Sequence, residues 1–230
     1  MKISSRLALC AAFSCAMATG CDDDSGASEE ESGGHEDDDG HDHDHDHDHD
    51  HNHDNELITT VTLTFTSREG AVVSASFSDP DGDGGASGMT DPIVLAPETT
   101  YDVALTLTND LEDEDVTEEI AAEAEEHYVF FYGPNVMGPA SMGDGLVIHE
   151  FADVETDYAD NEVGEDLPVG LASVVTTGAA GEGELSVLVR HLPPLNDDPQ
   201  KRAEMVDAFA RGEEIAGSND VDVRFELTVE

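Results

Sequence analysis

The sequence predicts a mainly β chain: an antiparallel β-sandwich with two short helices, preceded by a disordered acidic, His-rich linker. Three observations predict it. Apolar side chains alternate with Thr, Ser and charged residues in several short runs after Leu57. Between Cys21 and Leu57 there is no large apolar side chain. Few lysines and arginines, 8 in all, face 55 aspartates and glutamates, and these crowd the early part of the chain.

The N-terminus reads as an export signal. Lys2 and Arg6 form a short positive region, and Leu7 to Met17 is an apolar run of 11 residues. A membrane-spanning helix needs about 20 residues. The run has the length of a signal-peptide hydrophobic region. Ala18-Thr19-Gly20-Cys21 follows, and small residues before a cysteine resemble a lipobox, although Ala18 stands where Leu is usual. The expectation is cleavage after residue 20 and lipidation (palmitate-type acylation) of Cys21, with ordinary secretory cleavage as the alternative. Cys10 and Cys15 would leave with the signal, so Cys21 would remain without a disulfide partner. More than one acyl chain gives stable anchoring, because each buried CH₂ is worth about 0.8 kcal/mol. Loss of residues 1–20 leaves 6 of the 8 Lys+Arg against all 55 Asp+Glu. Such a chain repels nucleic acid and attracts cations.

Residues 21–56 form a tether. Low hydrophobicity with high charge cannot offset the entropy of ordering. Charge repulsion extends the segment, and about 5–6 Å × √n puts its reach at roughly 30 Å or more.

Strand signals then follow one another. Val61, Leu63 and Phe65 alternate with threonines, and Val73-Ala75-Phe77 and Tyr101-Val103-Leu105-Leu107 repeat the pattern. Tyr128 to Tyr132, Leu146 to Phe151, Leu171 to Thr177, Leu185-Val187-Val189 and Val221 to Val229 complete seven or eight strands. Turn-type residues separate them at Asp79 to Gly88, Gly133-Pro134-Asn135 and Gly178 to Gly183. Short alternating strands between turns indicate an immunoglobulin-like sandwich over 57–230. Two helices interrupt it. Asp115 caps the first, with Glu118 completing a capping box and Val116, Ile120 and Ala124 on one face. For the second, Asp198 is the expected N-cap, Pro199 the first position, Met205 and Phe209 the buried face, and Gly212 the stop.

The chemistry concentrates in the linker. His41, His43, His45, His47, His49, His51 and His53 alternate with Asp42, Asp44, Asp46, Asp48, Asp50, Asn52 and Asp54, and His35 stands upstream. Neutral imidazole suits Zn²⁺, Cu²⁺ and Ni²⁺, and carboxylates neutralise the ion's charge. A flexible tract has no preformed geometry, so several ions should bind weakly. Protons compete for the same ring nitrogens, so binding should fall as pH drops from about 7.5 to 6. The competing reading is a hydrophilic spacer, which needs no histidine at strict period two.

Three histidines lie in the folded part: His127, His149 and His191. With a carboxylate they could form one zinc site. Taken singly, each has a plainer reading, His127 at a helix C-terminus and His191 at a strand end. Asp79, Asp81 and Asp83 open like a calcium loop, D-x-D-x-D-G, but position twelve is Thr90 and a Gly/Asp hairpin turn competes. There is no nucleophile elbow, P-loop or dinucleotide fingerprint, and no cysteine after Cys21, so the reading is a non-enzyme.

Across residues 41–230 the acidic His run, ELITTVTLTFTS, DPIVLAPETTYDVALTLTN, EEHYVFF, GELSVLVRHLPP and DVRFELTV resemble a poorly characterised family of bacterial lipoproteins with a His-rich N-terminal linker. Its members often carry the label "type 1 periplasmic binding fold superfamily protein". The resemblance implies a lipobox, a His-rich linker and a β domain containing Glu125-Glu126-His127 and Arg190-His191, and no set activity. The label implies a two-lobed α/β fold, which the strand pattern contradicts. The expected function is a lipid-anchored envelope protein, outer membrane or periplasm, that binds or buffers zinc or a similar ion. Metal ions are then the first partners, with a metal transporter or outer-membrane receptor as a protein partner. The alternative is a non-enzymatic adhesion or interaction module on a charged tether.

Overall fold

The computed structural model describes residues 56–82, 88–161, 164–196 and 198–230. Twelve strands and two helices follow in order: β1 (Thr60–Ser67), β2 (Val72–Ser78), β3 (Met89–Thr90), β4 (Ile93–Leu95), β5 (Thr100–Thr108), α1 (Val116–Ala122), β6 (His127–Tyr132), β7 (Val136–Gly138), β8 (Ser141–Met142), β9 (Val147–Phe151), β10 (Ala172–Thr177), β11 (Gly181–His191), α2 (Glu204–Ala210) and β12 (Ser218–Val229). They form two sheets, β3-β2-β1-β5-β10-β9-β7-β8 and β4-β12-β11-β6. The chain is mainly β, as its alternation requires.

Period-two patterning explains the packing. In β1, Val61, Leu63 and Phe65 are buried while the threonines between them are half-buried. They meet Val103 and Leu105 of β5, Val187 and Val189 of β11 and Phe225 of β12 in one core drawn from both sheets. This is a β-sandwich: two inner faces enclosing a shared apolar layer. Burial of each such side chain is worth about 1.5–3 kcal/mol. The pairing is antiparallel except at β12–β4 and β7–β9, which run parallel. The two-lobed α/β arrangement is not what the described residues form.

β6 is apolar on both faces because both are covered. Val129 and Phe131 point into the main core, while Tyr128 and Phe130 face a second cluster with Leu188, Leu192, Met205 and Val206. Phe209 of α2 stacks on Phe130, with ring centroids 4.7 Å apart. A strand buried on both faces reads as a continuous apolar run, not as alternation.

Several details depart from the sequence reading. Asp115 caps α1 by accepting from the Thr117 N–H at 3.0 Å, one position before Glu118. Helix α2 starts at Glu204, five residues later than an Asp198 N-cap would place it. Asp198 instead forms a β-bridge with Leu195, and Lys201 is drawn inward, its Nζ 2.7 Å from Glu155 Oε1 and donating to the Ala124 carbonyl at 2.8 Å. The end of α2 is as expected. Gly212, at φ +71°, gives its N–H to Phe209 and the Glu213 N–H reaches Ala208, a Schellman closure. Four strands, β3, β4, β7 and β8, are too short to show a period in sequence. Among the described residues no helix is long and apolar enough to cross a membrane.

Candidate metal centre

The β6–β11 register brings two histidines together. His127 pairs with His191 at one end of this ladder. The Leu192 N–H donates to the Glu126 carbonyl at 2.6 Å, which makes His127 and His191 a non-hydrogen-bonded pair. In such a pair the side chains approach most closely. The rings stack 4.7 Å apart and 7° from parallel. Both share parity with Val129 and Val189, so they project into the end of the sandwich, and both are buried. Helix α1 runs into a 3-10 turn, Ala124–Glu126, directly before β6. Glu123, between the two, brings a carboxylate oxygen within 4.8 Å of a ring nitrogen of each histidine. Glu123, His127 and His191 thus form a group that can hold a metal ion.

Hydrogen bonding sets the tautomer of His127. Its Nδ1 lies 3.1 Å from the Glu123 carbonyl oxygen. A carbonyl only accepts, so Nδ1 carries the proton and Nε2 presents a lone pair. Histidine metal ligands are oriented by this kind of bond. Burial holds the His127 pKa down to about 4, so the ring is neutral at neutral pH. His191 is pushed up, chiefly by Glu126, whose Oε2 lies 3.8 Å from its Nε2.

A third element approaches His127. In the β11–β12 ladder Val189 pairs with Val221 and Arg190 with Asn219, so Asp220 is the extra residue of a β-bulge. Its side chain is fully buried, with Oδ2 3.8 Å from His127 Nε2. Burial pushes the Asp220 pKa up to about 7. The Arg190 guanidinium fixes the approach to the bulge, donating to the carbonyls of Ala216, Ile215 and Gly217 at 2.7, 2.8 and 2.7 Å and to Asn219 Oδ1. Gly217 has φ +84°, and a Cβ there would collide with the His191 carbonyl oxygen. Only glycine lets this loop pass so close to β11.

His149 does not join the group. It sits on β9, in the other sheet, stacked on Phe131 at 4.5 Å, with Nε2 2.9 Å from Ser173 Oγ. Of the three histidines expected in one site, the described residues bring together two, His127 and His191, with Glu123. Asp79 is buried and Asp81 exposed, and neither belongs to the metal-competent group. Asp83, Cys21, His35 and the His41–His53 tract lie outside the described residues. Sequence reasoning missed Glu123 in this group and did not foresee Asp220 beside His127. Glu123 had a signal, standing four residues before His127 at the end of a helix. Asp220 had none, because alternation with Val221 and Val223 assigns it to the opposite face.

No protein-family model, no curated protein and no solved structure significantly matches this chain.

Proposed function

We propose that this chain is an exported, lipid-anchored protein of a bacterial cell envelope that binds and buffers a divalent transition metal, zinc foremost. The observation that carries the reading is the buried, cross-strand pair His127–His191 with Glu123 in ligand reach. Two imidazoles and a carboxylate are a borderline-soft donor set that suits Zn²⁺ better than Ca²⁺ or Mg²⁺. The linker supports the same reading from composition alone. Eight histidines among aspartates offer many weak sites, and the folded domain offers one preorganised site. The tract then gathers ions and the domain retains one. Lipidation of Cys21 would hold both at a membrane surface, where a metal transporter or receptor could draw on them.

Zinc titration of the mature chain at pH 7.5 tests this. The expected outcome is one tight equivalent and several weak ones. Replacing His35 and the seven tract histidines by Gln removes the weak class, and His127→Gln with His191→Gln removes the tight one. A chain that binds no zinc ends the proposal.

A further inference from the structure

Resting on that reading, we propose that Asp220, delivered by the bulge in β12, is a direct ligand of the ion held by His127 and His191. The first ground is the balance of donors and acceptors. His127 Nε2 and both Asp220 carboxylate oxygens are buried and have no hydrogen-bond partner, and His191 Nε2 meets only Glu126, at 3.8 Å. Buried polar atoms are nearly always paired, and each exception calls for a cause. At His127 the cause is specific. Nδ1 already carries the proton, so Nε2 offers a lone pair to a carboxylate that offers more of the same. A proton cannot bridge the 3.8 Å between them.

A cation can. Zinc binds nitrogen and oxygen at about 2.0–2.1 Å, so two ligand atoms on one tetrahedral ion lie roughly 3.3 Å apart. At His127 the separation of 3.8 Å needs only a slight closing of the Asp220 side chain; Asp220 stands outside the group already within 4.8 Å of both histidines, so the ion draws it in. A cation here also relieves two burial costs together, a desolvated carboxylate and a lone pair without a donor.

The second ground is the backbone. β12 has regular pairing to β11 from Val221 to Val229 and breaks it at one place, Asp220. A bulge costs a ladder position and re-aims one side chain. Here it turns an aspartate inward beside two histidines. Beside the bulge, Asp220 borders a cavity of about 480 Å³ that Glu56, Ile58, Phe77 and Val223 also line.

The test uses the full mature chain with all eight tract histidines replaced by Gln, zinc and cobalt(II) being the probes. Partners that merely orient a ligand are worth about 10–100-fold in affinity, so Asp220→Asn is expected to weaken zinc by at least roughly tenfold. Its melting temperature without metal should stay the same or rise, because a buried charge is removed. Asp220→Cys is expected to bind cobalt(II) with thiolate-to-metal charge-transfer absorption, which only direct ligation produces. Unchanged zinc affinity in Asp220→Asn, or cobalt bound to Asp220→Cys without that absorption, overturns the assignment of Asp220 and leaves the histidine reading standing. A tract-substituted parent that takes up no zinc overturns that reading, and this inference with it.

Discussion

The imidazole of His127 lies flat against that of His191, 4.7 Å away, because the two residues are opposite one another in a non-hydrogen-bonded position of the β6–β11 ladder. Neutral rings stack without penalty, whereas two imidazolium ions at this distance in a buried site repel. Only one of the pair can carry a proton cheaply. His127 is the one held neutral, by burial. One histidine is thus kept in its metal-binding form by the fold itself.

Loss of either ring should be felt in metal more than in folding. His127→Gln and His191→Gln are each expected to weaken zinc by at least about tenfold relative to the tract-substituted parent, since outer partners alone reach that figure. The urea midpoint without metal should move little by comparison. Competition against a chromophoric chelator and urea unfolding check the two halves.

His149 predicts an acid weakness of the domain. Burial holds its pKa down at about 4, well under the ordinary value of 6.5. Above about pH 6.5 the ring is neutral in both states and its packing on Phe131 is fully retained. As pH falls from 6.5 to 4 the unfolded chain takes up the proton first, so stability declines. Below 4 this group adds no further loss. The full effect is at most roughly 3 kcal/mol. Replacing the pair by His149→Phe with Ser173→Ala removes the titrating ring and its hydroxyl partner together. Urea unfolding at pH 7.5, 5.5 and 4.5 should show a shallower acid decline in the double variant, by about one proton. An identical decline in both chains contradicts the assignment.

Lys201 ties the outer cluster to the turn before β6. Its ammonium is buried against Glu155, donates to the Ala124 carbonyl in the turn before β6, and sits over the Tyr128 ring. Lys201→Met leaves Glu155 buried without its cation, a change that costs about 3–5 kcal/mol. Lys201→Met with Glu155→Met should recover much of that loss. Thermal unfolding of the two variants measures the difference.

Gly217 should tolerate no side chain. Gly217→Ala places a methyl against the His191 carbonyl in a left-handed backbone conformation. The loop that Arg190 holds must then move away, and Asp220 with it. The expected result is lower stability together with weaker zinc binding, whereas Gly70→Ala, equally left-handed but in open space, should cost stability alone.

Much of the fold was legible because alternation directly encodes a half-buried strand. Val61-Leu63-Phe65 and Tyr101 to Leu107 are strands whose buried residues are the apolar ones. The two-residue strands at Met89 and Ser141 were not legible, since a period needs repetition. The start of α2 misled because Asp198-Pro199 is a strong local start signal, overridden by the tertiary burial of Lys201. The site was half legible. His127 and His191 are of ligand type, and parity placed His191 on the inner face. Their pairing depends on register, which only the fold sets. His149 has the same parity and chemistry but lies in the opposite sheet. Asp220 was hidden, because a bulge reverses the face that alternation assigns.

X-ray absorption at the zinc edge, on the mature chain with every tract histidine replaced by Gln and one equivalent of zinc added, tests the central claim most directly. The account predicts a shell of nitrogen and oxygen at about 2.0 Å, with the multiple-scattering pattern of two imidazoles, lost in His127→Gln with His191→Gln. Zinc that stays in solution, or an imidazole pattern unchanged in the double variant, would contradict it.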